Sequence, residues 1–192
     1  MTLSFNHSGV LPPFLGDSAV NPAQCSPYEI PLLDFVKFFS TTPKRKLLLI
    51  SWLKYRLALK KIGVVEGFQW IDGSFVEDVE NNLGRPPDDI DLVTFGKRPS
   101  GINNANEFFV LSANNSDLFV SGLAKQTYNC DAYFVDLGLP QEAIVKYTTY
   151  WFGLFSHQRA TSLWKGIIEI DLSEDEGYAL KLLEDGGTDV TS

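Results

Sequence analysis

Cysteine is nearly missing from this 192-residue chain: Cys25 and Cys130 are the only two. Two thiols make no disulfide framework and their spacing matches no metal-ligand pattern, so a reducing, cytoplasmic compartment is expected. Excess positive charge is missing as well, since 16 Lys and Arg stand against 24 Asp and Glu, a formal net charge of −8. That balance excludes non-specific DNA binding, which depends on cations neutralising phosphates. A phosphate ligand held through a bound metal remains compatible with it. No apolar run approaches the roughly 18 residues a membrane span needs. The opening MTLSFNHSGVLPPFLG lacks the basic and long apolar regions of a signal peptide, so no membrane association is expected. Internal repeats and an interdomain linker are absent too.

What is there, 44% hydrophobic and 21% charged residues, fits one soluble globular domain. Residues 1–27, with Pro12, Pro13, Pro22 and Pro27, read as an irregular arm on the surface. Residues 28–192 read as a single domain: a helical extension over 28–63, a sheet core over 64–172, and a helix and tail over 173–192. Apolar residues between Tyr28 and Ser40 predict a short amphipathic helix. A second helix begins at Thr42 as N-cap with Pro43 at the first position and stops at Gly63. Lys54, Arg56, Lys60 and Lys61 near its end are explained by the helix dipole. Short β-rich runs follow at Phe68–Asp72, Ile90–Phe95, Cys130–Leu137 and Gly166–Leu172, with helical or irregular segments at Ala105–Lys125 and Pro140–Phe152. This pattern predicts an α+β (α/β) fold with a small mixed sheet flanked by helices. Ser173 opens a capping box before a last helix.

The chemistry concentrates in WIDGSFVEDVENNLGRPPDDIDLVTF, residues 70–95. Asp89 and Asp91 are two apart on a strand and share a face, while Ile90 and Leu92 turn into the core. Two such carboxylates repel unless a cation lies between them, and Mg²⁺ is commonly held by one or two carboxylates with phosphate oxygens and water. Gly73 and Ser74 allow close approach of a phosphate to the backbone. A calcium loop over Asp78–Asp89 is excluded, because Leu83 stands where a glycine is needed and the last position is Asp. In CDAYFVDL, Asp131 and Asp136 lie on opposite faces. Asp131 starts its strand and is the better third acid, whereas Asp136 adjoins a turn.

Together, WIDGSF, DDIDLV and CDAYFV resemble the nucleotidyltransferase superfamily with the polymerase-β-like fold. GVLPPF, KRKLLLISWLKYRLALKKIG and YWFGLFSHQRATSLWKGIIEI extend the resemblance to a small bacterial branch of stand-alone nucleotidyltransferase-like proteins, over residues 9–172. The resemblance implies a phosphate-contacting pair in Gly73 and Ser74. It also implies Mg²⁺ or Mn²⁺ ligands in Asp89, Asp91 and Asp131, the last also helping to deprotonate the acceptor. The implied activity moves an NMP, AMP first among them, from an NTP to a hydroxyl of a protein, RNA or small molecule. Arg159 and Lys165 are candidate phosphate contacts, with His157 beside them. The sequence departs from the pattern in the connection from Phe75 to Asp88, where Glu77, Asp78 and Glu80 are unfavourable to a bare triphosphate. The second expectation is therefore an inactive relative that binds a partner protein, as an antitoxin or immunity protein against a toxin does.

Overall fold

Strand alternation and helical periodicity resolve into the expected α+β architecture in a computed structural model that describes residues 3–16 and 19–185. In chain order the elements are β1 (Tyr28–Glu29), α1 (Leu32–Phe39), α2 (Pro43–Lys61), β2 (Gly67–Asp72), α3 (Val79–Leu83) and β3 (Ile90–Gly96). Then follow α4 (Ala105–Asn114), α5 (Ser116–Phe119), α6 (Ser121–Tyr128), β4 (Cys130–Asp136), α7 (Gln141–Phe155), β5 (Ile168–Asp171) and α8 (Glu176–Glu184). The sheet order is β1-β5-β2-β3-β4. β2 runs antiparallel to both neighbours, and the outer pairs β1–β5 and β3–β4 are parallel. A parallel β3–β4 pair requires a crossover, which α4, α5 and α6 provide.

Both faces of the sheet are covered, which is why β3 reads as a nearly unbroken apolar run. Ile71, Ile90, Leu92 and Ala132 face a large core built with α1, α2, α6 and α8, including Phe35, Trp52 and Leu183. Trp70, Val93, Phe95 and Val135 face a smaller core closed by Trp151 and Phe155 of α7. Helix α2 starts as expected, with the Thr42 hydroxyl accepting the Arg45 N–H.

Three expectations are corrected. The arm is not confined to the surface: Val10 and Leu11 are buried, Asp78 N–H donates to the Gly9 carbonyl, and Gly166 N–H donates to the Leu11 carbonyl. The cap of α8 is Asp175, whose carboxylate accepts the Gly177 N–H, rather than Ser173. Arg56 does more than complement the helix dipole. It is fully buried and bonded through Nε to Glu176 Oε1 at 2.8 Å, while Lys60 Nζ meets Oε2 at 2.6 Å. Arg56 also shares the Gln69 side-chain oxygen with the Trp52 indole N–H, tying α2 to β2 and α8 at once.

Candidate active site

Strand register aligns a row of carboxylates. Asp72 on β2 pairs with Asp91 on β3, and Asp91 pairs with Asp131 on β4, so all three rise from the same face. Asp89, two residues before Asp91, shares that face. The ends of β2 and β3 open into a cleft of about 460 Å³ lined by Asp72, Gly73, Ser74, Asp89, Asp91 and Lys165, among others, with Arg159 and His157 at its edge. Six of the seven site residues expected from the sequence thus share one cleft. Asp131 adjoins it without lining it, its carboxylate accepting a hydrogen bond from the Ser121 hydroxyl. Asp136 lies at the far end of β4, paired with Arg98 at 2.7 Å.

Gly73 follows the last residue of β2 with φ +73° and starts a single 3₁₀ turn through Val76. Its lack of a side chain is what lets the Asp91 carboxylate sit there, since a Cβ would fall 1.7 Å from Asp91 Oδ2. Burial raises the Asp91 carboxyl to about 6, with the charges of Asp89 and Asp131 adding to the rise and Arg159 and Lys165 opposing it. Burial raises Asp72 further, to about 7, against the pull of Lys165.

Lys165 lies deeper than a phosphate contact requires. It is 2% exposed, with Nζ 2.6 Å from Glu77 Oε1, 3.0 Å from Asp72 Oδ1 and 3.3 Å from the Gly73 carbonyl. The Asp72 contact is off the line of a hydrogen bond, and Asp72 Oδ1 is left as the buried side-chain oxygen with no hydrogen-bond partner among the described residues. Arg159 is exposed, has no such ties among the described residues, and its charge favours the ionised form of Asp91. His157 is exposed, with Nδ1 3.0 Å from the Ser156 hydroxyl.

The acidic connection is largely neutralised. Glu77 is taken by Lys165 and by the Gln158 amide at 2.6 Å, and Glu80 forms a two-point contact with Arg45 at 2.7 and 2.8 Å. Asp72 itself was not picked out from the sequence. Its signal, an acid ending a strand directly before Gly-Ser, gains meaning only once the β2–β3 register is known.

Among the described residues, no group of three or more His, Cys, Asp or Glu side chains is spaced to hold a metal ion. Asp89 is drawn to Lys125 Nζ at 2.6 Å and Asp131 to Ser121. Mg²⁺ needs no such cage, since one or two carboxylates suffice when water and phosphate supply the remaining oxygens. Asp91 and Asp89 provide that hard-oxygen pair, and beyond the effect of burial the charges of Asp89 and Asp131 add to the rise at Asp91, a repulsion that a cation relieves. The donor set therefore fits.

A second, larger groove of about 840 Å³ lies at the outer strand β4, between Phe108 and Phe119 on one side and Tyr147, Tyr150 and Trp151 on the other. No helix among the described residues is long and apolar enough to cross a membrane. A family model described as "Family of unknown function (DUF6932)" matches residues 3–171. No curated protein and no solved structure matches the chain.

Proposed function

The chain belongs to DUF6932, whose description carries no activity, and from the geometry of the cleft we propose that it is a Mg²⁺- or Mn²⁺-dependent nucleotidyltransferase. The observation that carries this reading is the seat of Asp91: a carboxylate with Asp89 and Asp131 acting on it, set directly against a glycine that follows the neighbouring strand.

In this reading Asp89 and Asp91 hold the metal. When bound, it would supply positive charge to offset the negative charge of the triphosphate and of the departing pyrophosphate. Gly73 keeps the approach to Asp91 clear of side chain, and the Ser74 hydroxyl donates to a phosphate oxygen. Arg159 draws the triphosphate in from the rim. Lys165, committed to Asp72, Glu77 and the Gly73 carbonyl, fixes the shape of the Gly-Ser turn instead of touching substrate. Asp131, adjoining the cleft on the next strand with its carboxylate held by the Ser121 hydroxyl, gives up that bond to accept the proton of the attacking acceptor hydroxyl. Transfer of an NMP, AMP first, then depends mostly on positioning and charge.

The test is to incubate the purified protein with each labelled NTP, Mg²⁺ and a cell extract, alongside Asp89→Ala/Asp91→Ala, and to search acceptor proteins and RNA for nucleotide adducts. An adduct made only by the wild type supports transfer. The aromatic groove at β4 favours one other reading, an inactive antitoxin- or immunity-type protein that binds a partner. A stoichiometric complex formed equally by both variants, without adduct, is the result that reading expects.

A further inference from the structure

A solvent-exposed lysine stands against one of the carboxylates of the cleft. Helix α6 ends at Asn129, whose left-handed backbone turns the chain into β4, and this brings Lys125 of the last helical turn over the start of β3. Lys125 Nζ lies 2.6 Å from Asp89 Oδ2, and the carboxylates of Asp131 and Asp91 also act on its ammonium. The two partners differ in freedom: the Lys125 side chain is 54% exposed, whereas that of Asp89 is 12% exposed. Lys165, which lines the cleft, is only 2% exposed and is held between Asp72 and Glu77. One ammonium is therefore built in and the other can swing out.

We propose that Lys125 is a tethered competitor of the metal, standing against Asp89 when no divalent cation is bound and leaving it when one binds. This rests on the nucleotidyltransferase reading of the cleft and adds a regulatory element to it. The Asp89 oxygen that Lys125 engages at 2.6 Å is one of the hard oxygens a divalent cation needs. Both cannot be served at full strength, and in the wild type the metal's apparent affinity is reduced by the fraction of molecules in which Lys125 holds Asp89. The cost is tolerable because the Lys125 end of the pair is 54% exposed, so the released ammonium is taken up by water.

The experiment titrates Mn²⁺ into the full chain by calorimetry, comparing wild type with Lys125→Met, Lys125→Gln and Lys125→Arg. Removing the competitor is expected to tighten Mn²⁺ binding by about 3- to 30-fold in the Met and Gln variants, corresponding to a lysine bound to Asp89 most of the time. Lys125→Arg should stay near wild type. A wild-type measurement covers the case in which a variant folds poorly: saturating Mn²⁺ should increase acylation of Lys125 by an amine reagent relative to the exposed Lys54 of α2. Wild type that binds Mn²⁺ with unchanged Lys125 labelling, or Met and Gln variants that bind no more tightly, overturns the competitor role while leaving the metal site standing. Folded wild type and variants that all fail to bind Mn²⁺ overturn both.

Discussion

Gly73 and Asp91 occupy adjoining space so closely that no side chain fits between them: a Cβ at Gly73 would lie 1.7 Å from Asp91 Oδ2. Gly73→Ala must therefore move the carboxylate or the turn, and it adds the strain of a non-glycine residue at φ +73°. The expected loss of stability is about 1–3 kcal/mol, with loss of the Mn²⁺ response. Gly84→Ala is the control, because φ there is +65° but nothing lies within 4 Å of the added methyl. Denaturant melts should place Gly73→Ala well below Gly84→Ala. Equal melts and equal metal responses would show that the contact does not matter.

The carboxyl row makes the metal-free protein less stable as pH rises. Asp91 at about 6 and Asp72 at about 7 bind protons more tightly folded than unfolded, where each lies near 3.8. Stability relative to the protonated form is thus lost as pH climbs from about 4 through about 7. Asp91→Asn keeps the shape of the protonated acid and should raise the melting temperature in EDTA at pH 8. The gain is on the order of 1–3 kcal/mol, about 2–4 °C for each kcal/mol. Melts repeated down to pH 4 should show the advantage fading; an advantage independent of pH would rule out charge as its cause.

Helix α8 is held by a buried ion pair. Glu176→Ala leaves the Arg56 guanidinium without its partner in the core and is expected to cost about 3–5 kcal/mol. The double variant Arg56→Met/Glu176→Leu should recover much of that loss, since it removes both charges together. Urea midpoints of the two proteins decide this, and a double variant as unstable as Glu176→Ala would contradict it.

For transfer itself, Asp91→Ala should lower the rate by two to three orders of magnitude, as removal of a preorganised electrostatic group does. Arg159→Ala, which removes an exposed cation at the rim, should chiefly raise KM for the NTP. Steady-state kinetics with one labelled acceptor separates the two effects.

Much of this fold is legible in local pattern. The runs at β2, β3 and β4 alternate or stay apolar, and their limits carry Gly73, Gly96 and the turn after Asp136, so strand positions fall within a residue or two of the sequence reading. The mixed sheet follows from helices lying between strands. Strand periodicity alone puts Asp89 and Asp91 on one face, whereas the tertiary fold brings Gly73, Ser74, Arg159 and Lys165 to the same cleft. What the sequence hid depends on partners far away in the chain. Arg56 meets Glu176 across 120 positions and Lys165 meets Glu77 across 88, so no local rule distinguishes them from ordinary surface charges. Asp72 belongs with the other acids only through strand register, and Leu11 is buried only because Gly166 arrives beside it.

That last contact has a bearing on how the protein is made. The Leu11 carbonyl is held by Gly166, far later in the chain, and the Ser26 hydroxyl oxygen likewise accepts the Ile167 N–H. During synthesis Leu11 and Ser26 lack these two partners until residues 166–167 are made, because contacts between distant parts of a chain cannot close until both parts exist. Until then Leu11 lacks a neighbour that it has in the finished core, so this part of the large core is among the later ones to set.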